Sequence, residues 1–323
     1  MDLHLRSLRH ALTLAQHRHY GRAAGALNIS QSALSRSIAA LEATLGVQLF
    51  ERGRSGIRLT PSGEVLVARG AGVVNGAADI TREISMLQGL EVGELRVGAG
   101  LYPAAISVGT ALGQLSIGRP GLRVSLMAEQ WRRVTAAVRA GEVDVAVVES
   151  STLEKDSRVT IEPLEPHAAA FVCRRGHALL KNPAPAIEAI LSHPLVGPIL
   201  PPRVGSLLSG ISPEQQFDAA GNIIPAFHVE STQVTVQILI AGDAVAVLPL
   251  LLIESELEAG SLVVINYRAP WMRTEYGFAW PSEGSLSAAA LAFMAEVRAL
   301  EALQVKKSAA LARSWLKVRT RRR

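Results

Sequence analysis

Residues Tyr20 to Leu45 restrict this chain more than any other stretch. They read as a short helix, the turn Asn28-Ile29-Ser30, and the run Gln31-Ser32-Ala33-Leu34-Ser35-Arg36-Ser37-Ile38-Ala39-Ala40-Leu41-Glu42. Leu34, Ile38, Leu41 and Leu45 recur at helical spacing and make one apolar stripe. Advancing about 100° per residue puts Ser32, Ser35, Arg36 and Ala39 on the opposite face, where small and hydrogen-bonding side chains suit entry into a DNA groove. Ser30 is placed to cap this second helix, because its hydroxyl can accept from an orphan amide of the first turn. Ala23, Ala24 and Leu27 of the preceding helix face inward and are small enough for a close helix crossing over a short turn. The spacing predicts a helix-turn-helix over about residues 20–39.

The flanks complete a module. Leu5, Leu8, Leu12 and Ala15 predict a first helix, so three helices share one small core. Val47, Leu49 and Phe50 lead into Glu51-Arg52-Gly53-Arg54-Ser55-Gly56-Ile57-Arg58-Leu59-Thr60, where glycines punctuate a basic two-strand wing. The first sixty residues hold eight Arg, no Lys and three acids, a net +5. A winged helix-turn-helix over residues 1–60 is expected. Arg22, Arg52 and Arg54 are its candidates for phosphate contacts, and Ser30, Gln31, Ser32, Ser35 and Arg36 for base edges or nearby phosphates.

On the residues Tyr20 to Ile38, Leu41-Glu42, Leu45 to Arg52 and Arg58 to Glu64, the chain resembles the LysR-type transcriptional regulators. The family usually has Pro where this chain has Ser32, and Gly-Ser-Phe where it has Arg18-His19-Tyr20. The first departure removes a rigid helix-starting proline; the second adds histidines that read as solvated loop side chains. The resemblance implies a linker helix pairing two subunits. Beyond it lies an effector domain of two α/β subdomains hinged by two crossovers around a cleft, similar to type 2 periplasmic binding proteins. Ala140-Gly141-Glu142-Val143-Asp144-Val145-Ala146 and Gly242-Asp243-Ala244-Val245-Ala246-Val247-Leu248-Pro249 match the family's patterns there.

A chain of 323 residues exceeds the size at which one core stops growing, so several domains are expected. From Pro61 to about Leu90 one long helix is predicted. Leu66, Val73, Ile80 and Leu87 repeat every seven residues, with Gly70, Ala77 and Ile84 between them, as in a two-stranded seam. Beyond Gly93 strands at Glu94–Gly98, Arg123–Met127 and Asp144–Val148 alternate with helices at Ala104–Leu115 and Arg132–Ala140, which are β-α-β units. A second unit has strands near Ala168–Cys173, Ala226–Val229 and Ala244–Leu248. The segments Thr274–Trp280 and Leu286–Leu303 return to the first unit. The expected divisions are a linker at 61–90, an effector domain at 91–303, and a basic tail at 304–323. Subdomain one takes residues 91–165 and 266–303, and subdomain two takes 166–265.

Open α/β sheets bind ligands at the carboxyl ends of strands. That rule selects Tyr102, Gln130, Trp131, Glu149, Arg203, Glu230 and Thr232. Tyr102 and Trp131 are placed to stack on a ring, Glu149 and Glu230 to accept from hydroxyls or pair with a cation, and Arg203 to bind an anion. The family often places Ser or Thr in the first cleft loop to hold an effector carboxylate; this chain has Ala99-Gly100-Leu101-Tyr102. A neutral polyhydroxylated or aromatic effector is therefore expected over a dicarboxylate.

Residues 301–323 carry eight Lys and Arg against one acid, a net +7, so the remainder of a +5 chain is −7. Basic ends around an acidic middle place nucleic-acid contacts at the ends. The tail reads as solvated chain, with a basic amphipathic helix as its alternative. Cys173 is the only cysteine, which fits a reducing cytoplasm, and its apolar flanks make it inert. No export segment is expected, and Gly242, Asp243 and Pro249 interrupt the most apolar stretch, so no membrane span is expected.

Three function classes compete. A solute-binding protein would have no use for an arginine-rich head. An enzyme is disfavoured because no P-loop, GxSxG elbow, HExxH motif or metal-spaced Cys/His cluster occurs, so no catalytic residue, metal or cofactor is assigned. A DNA-binding regulator responding to a small-molecule effector accounts for head, seam and cleft together. Its expected partners are double-stranded DNA with imperfect dyad symmetry, further copies of itself as a homodimer or homotetramer, and RNA polymerase.

Overall fold

A computed structural model describes residues 3–53, 56–87, 94–153, 156–209, 211, 216–282 and 285–316, except the side chains of 52, 53, 56, 75, 78, 79 and 81–87. The elements up to the long linker helix form one compact unit, and those that follow form another.

In the first unit α1 (Leu5–His17), α2 (Tyr20–Ala26) and α3 (Gln31–Leu45) precede the hairpin of β1 (Phe50–Gly53) and β2 (Gly56–Leu59) and the helix α4 (Pro61–Leu87). The predicted stripe is the core: Leu34, Ile38 and Leu41 pack on Ala23, Ala24, Ala11 and Leu14. The buried face of α1 is Leu8, Ala11 and Leu14, whereas Leu5 is exposed. The predicted 3-4-3 spacing is therefore rotated by one residue toward α2 and α3. Leu8 and Leu12 instead meet α4 beside Gly70. Gly70 and Leu66 are consequently covered within the chain and do not belong to an open seam. Val73 and Ile80, further along α4, are more than half exposed. Leu87's side chain lies outside the described residues.

Glu42 fixes the wing, since its Oε1 accepts from the amides of Leu49 at 2.7 Å and Phe50 at 3.2 Å. Thr60 then starts α4: its hydroxyl donates to the Gln48 carbonyl and accepts from the Gly63 amide.

Among the described residues the second unit holds two main sheets and two small two-stranded pairs. The larger has the order β4-β3-β5-β14-β6, with β3 (Glu94–Gly100) parallel to β4 (Arg123–Glu129) and β5 (Val145–Glu149). The fourth and fifth strands are β14 (Tyr276–Pro281), antiparallel to β5, and β6 (Val159–Pro163), antiparallel to β14. Every residue of β5 is buried, as its apolar run from Val145 to Val148 predicts for a strand covered on both faces. Helices α5 (Leu101–Pro103), α6 (Gly109–Gly118) and α7 (Trp131–Arg139) connect these strands. This is subdomain one.

Subdomain two centres on β7 (Ala169–Arg174), flanked antiparallel by β12 (Ala246–Pro249) and β13 (Leu262–Val264). The expected strand at Ala226–Val229 is the two-residue β11 (Phe227–His228), parallel to β8 (Val196–Gly197). The remaining elements are α8 (Ile187–Leu191), α9 (Pro202–Leu208), the pair β9 (Gln216–Phe217) and β10 (Ile223–Ile224), α10 (Thr232–Ala241) and α11 (Glu254–Glu258).

One expectation is corrected at the last helix. α12 (Ala288–Trp315) does not stop at Leu303, and residues 304–316 are not loose tail. Its first turns bury Phe293, Met294 and Val297 in subdomain one, while Leu311, Ala312 and Leu316 pack into subdomain two. Lys307 pairs with Glu254. Apolar burial at the far end of the helix outweighs the charge that suggested solvated chain. The basic residues from Lys317 onward lie outside the described residues. Among the described residues no helix is long and apolar enough to cross a membrane.

Gly63 is a position where only glycine fits. A Cβ there would sit 2.1 Å from the Leu49 carbonyl oxygen and 2.9 Å from Leu59 Cδ2. Gly63→Ala is expected to destabilise the first unit by about 1–3 kcal/mol through forced displacement of the wing. Chemical denaturation of the variant beside the parent checks this, and unchanged stability would show that the wing yields freely.

Candidate nucleic-acid interface and effector cleft

The recognition surface is built by caps. Ser30 Oγ accepts from the Ala33 amide at 3.2 Å and lies 3.0 Å from Ser32 Oγ, so two hydroxyls replace the absent proline at the start of α3. His19 Nδ1 accepts from the amides of Gly21 and Arg22, capping α2. The departure read as a solvated loop histidine is thus a cap. Arg18 beside it has a left-handed backbone, with φ 50°. The Arg22 guanidinium donates to the His17 carbonyl at 3.1 Å, which partly commits it to holding the α1–α2 turn.

Gln31, Ser32, Ser35, Arg36 and Ala39 all lie exposed on one side of α3, opposite the buried stripe. The side chain of Arg52 and the whole of Arg54 lie outside the described residues. His10 is buried, and its Nδ1 meets Ser37 Oγ at 2.7 Å, which fixes α1 against α3. No local pattern revealed that bond.

In the second unit, residues after the carboxyl ends of β3, β4 and β5 converge on a cleft between the subdomains. Tyr102, Gln130, Trp131 and Glu149 come from subdomain one and Arg203, at the start of α9, from subdomain two. The strand-end rule located these five. Glu230 and Thr232 do not line the cleft: Glu230 is an exposed neighbour of His228, and Thr232 begins α10 behind the Ser231 cap. The rule missed Trp271, Thr274 and Tyr276, which enter on the second crossover and the strand it feeds. The walls enclose about 730 Å³, open mouth included.

Three side chains, Arg203, Trp131 and Arg132, bond across this cleft. Arg203 grips Glu149 through Nε at 2.9 Å and Nη2 at 3.2 Å, and also donates to the carbonyls of Arg273 and Trp271. Trp131 Nε1 donates to the Ile199 carbonyl at 3.3 Å, and Arg132 reaches Asp218 at 2.8 Å. Hydrogen bonds from Asn222 first, then from backbone amides and Arg132, hold the Asp218 carboxyl below its usual range.

Three buried polar atoms of the lining have no partner: Tyr102 Oη, Gln130 Nε2 and Tyr276 Oη. Burial pushes both phenols well above their ordinary range, so they stay protonated and able to donate. Gln130 is fixed by its own Oε1, which accepts from the Arg132 amide at 2.9 Å and leaves Nε2 as the free donor. Cys173 lies elsewhere, fully buried in β7, and burial pushes its thiol up to about 12. Among the described residues no group of three or more His, Cys, Asp or Glu is placed to hold a metal ion.

Comparison with known proteins agrees with both halves. Residues 5–64 match the family described as bacterial regulatory helix-turn-helix protein, lysR family, and residues 88–302 match the LysR substrate binding domain. The SDS degradation transcriptional activation protein of a Pseudomonas species is 33% identical over 291 residues, spanning 88% of this chain and 92% of that protein. Full-length OxyR from Pseudomonas aeruginosa superimposes with a TM-score of 0.63 at 25% identity, over 92% of this chain and 98% of that one. CbnR solved with its target DNA has a TM-score of 0.55 at 19% identity, over 92% and 100% of the two chains, a likeness of fold alone. The chain belongs to the LysR family of DNA-binding transcriptional regulators, whose members respond to small-molecule effectors and are not enzymes.

Proposed function

We propose that this regulator reads DNA with the exposed face of α3 and senses its effector in the cleft walled by Tyr102, Gln130, Trp131, Glu149 and Arg203. The observation that carries the sensing half is the cleft itself: three side chains bond across it, and three buried polar atoms on its walls lack partners. A buried polar group without a partner is costly, so a molecule that satisfies these atoms gains affinity from them. Binding changes the equilibrium between open and closed arrangements only by its differential affinity for the two.

On the DNA side, residues 1–60 form the binding domain, 61–90 the linker and 91–303 the core of the effector domain in this reading. Two copies pair through the part of α4 that the head leaves uncovered, at Val73 and Ile80. The paired linkers set two recognition helices into successive major grooves of a dyad site. Two such dimers form a tetramer whose DNA bend changes with effector, in contact with RNA polymerase, in the cytoplasm. Gln31, Ser32, Ser35 and Arg36 face base edges or nearby phosphates, Ser30 sets the helix start, and Arg22, Arg52 and Arg54 neutralise phosphates.

Some relatives are named as probable hydrogen peroxide-inducible genes activators, among them one from Mycobacterium avium, 32% identical over 193 residues. A peroxide switch by an intrachain disulfide is not supported here. The chain has one cysteine, and its buried thiol with a raised pKa supplies little thiolate.

Arg36→Ala is expected to weaken binding to a cognate duplex by about 1–3 kcal/mol, the value of a base contact, and binding to a scrambled duplex by less. Gel shifts on the two duplexes measure it; equal losses would reassign Arg36 to phosphate. Charged residues at both Val73 and Ile80 should place unpaired charge in the dimer contact and reduce both assembly and DNA affinity. Sedimentation and DNA titration of the double variant read this, and a parental mass with parental binding would sink the pairing. Trp131→Ala should abolish the effector response of a reporter promoter while leaving DNA affinity intact, because distant sites act nearly independently. A response that survives the substitution would remove the cleft from the sensing role.

A further inference from the structure

The charged residues lining the cleft are Glu149, Arg203 and Arg273. Arg203 is the partly buried cation, and it is already engaged. Of its five N–H groups, two meet the Glu149 carboxylate and two meet backbone carbonyls, with Glu275 a further 3.6 Å away. Arg273 is exposed at the rim, and its guanidinium lies 3.3 Å from Glu275. Both cations of the lining are therefore already paired with carboxylates, Arg203 with Glu149 and Arg273 with Glu275 outside the lining. An anionic ligand entering here finds no free buried cation, and it brings a desolvation cost that only displacement of Glu149 offsets.

The unpartnered polar atoms of the lining share the ability to donate. Gln130 Nε2 is a donor by its cap geometry, and the Tyr102 and Tyr276 hydroxyls, held protonated by burial, donate as well. Around them stand Leu101, Pro103, Trp131, Ile199, Val204 and Trp271. Three donors among apolar walls suit a molecule with one or two acceptor oxygens and suit a polyol poorly, because most of its hydroxyls would go unpaired.

Resting on the cleft reading above, we propose that the effector is an uncharged, largely apolar molecule bearing a hydrogen-bond-accepting oxygen, such as a ketone or ester, and neither a carboxylate nor a sulfate ester. The Arg203–Glu149 pair acts as the filter. It neutralises the one partly buried guanidinium of the lining that would otherwise recruit anions, and Glu149 itself repels them.

Matched probes test this on the full-length chain, followed by the fluorescence of its tryptophans or by calorimetry. 2-Undecanone, decanoate and decyl sulfate, the last below its micellar concentration, share an apolar chain and differ in the head group. Methyl benzoate and benzoate form a second, aromatic set. At least one uncharged probe is expected to bind ten-fold or more tightly than its anionic counterparts, and Gln130→Leu should weaken that binding several-fold. Glu149→Gln should raise affinity for the anions ten-fold or more without raising it for the ketone or ester. Tighter binding of an anion than of its uncharged partner by the parent chain overturns the proposal, and so does failure of both uncharged probes to bind. Trp131→Ala separates the two levels of inference. Anion-selective binding that this substitution abolishes leaves the cleft as the site and removes only the ligand class; binding of any probe that it leaves unchanged removes the cleft.

Discussion

The two crossovers between the subdomains are paired with each other, and the effector half of the molecule is arranged about that pairing. His167 donates its amide to Thr274 Oγ1 and accepts the Thr274 amide on its carbonyl, with Ala168 bridged to Arg273. Helix α12 braces the same point from behind. Glu301 meets His167 Nε2 at 2.7 Å, with both side chains buried, and Ser308 Oγ accepts from the Ala168 amide. Because α12 packs into subdomain one at Phe293 and into subdomain two at Leu311, it spans the hinge as a strut. Of the cleft residues, Thr274 sits in this hinge and Tyr276 begins the strand that leaves it, so a rotation of the subdomains reaches the lining directly.

Legibility in the sequence followed the range of the interactions. The recognition helix was readable because its stripe, its Ser30 cap and its exposed face are all set within fifteen residues, and the caps and burial agree with that reading. β5 was readable because a strand covered on both faces leaves an apolar run, whereas β3 and the mostly exposed β4 were readable from their alternation with helical segments. β13 and the end of α12 were not. Leu262–Val264 is a strand only because β7 offers an edge some ninety residues earlier, as in the pairing of Val263 with Cys173. Leu311 is buried only because subdomain two returns beneath it. The strand-end rule found Tyr102, Gln130, Trp131, Glu149 and Arg203 by local position. It admitted Glu230 and Thr232 because it cannot tell which strand ends face the cleft, and it missed Tyr276 because that residue begins a strand that runs the other way.

The apparent departures from the family pattern have local substitutes. Losing the proline at Ser32 removes a rigid start to α3, and the facing hydroxyls of Ser30 and Ser32 restore a hydrogen-bonded one. His19 takes the capping position of α2 and leaves its turn held by the Arg22 bond to His17. A cap substitution acts on helix stability by about 1 kcal/mol, so these residues shape the start of both helices through the caps themselves.

The cross-cleft bonds differ in how they resist opening. In the Arg132–Asp218 pair the guanidinium is about half exposed, and solvent screening limits what such a pair contributes. The Trp131 bond is long, and water replaces it when the cleft opens. Arg203 and Glu149 are the partly buried pair, yet opening hydrates both groups, so the Coulombic loss is offset by recovered solvation. Cleft closure therefore rests on a small difference between large terms, as a sensor requires. Moving a two-state equilibrium from 1:99 to 99:1 takes about 5.5 kcal/mol of differential affinity. A few well-placed donors and a buried apolar body supply energies of that order. The same balance explains why the buried pair sits at the centre of the site. A permanently apolar contact there would hold the cleft shut against any ligand, whereas a pair whose solvation tracks its separation lets a modest ligand decide the position of the hinge.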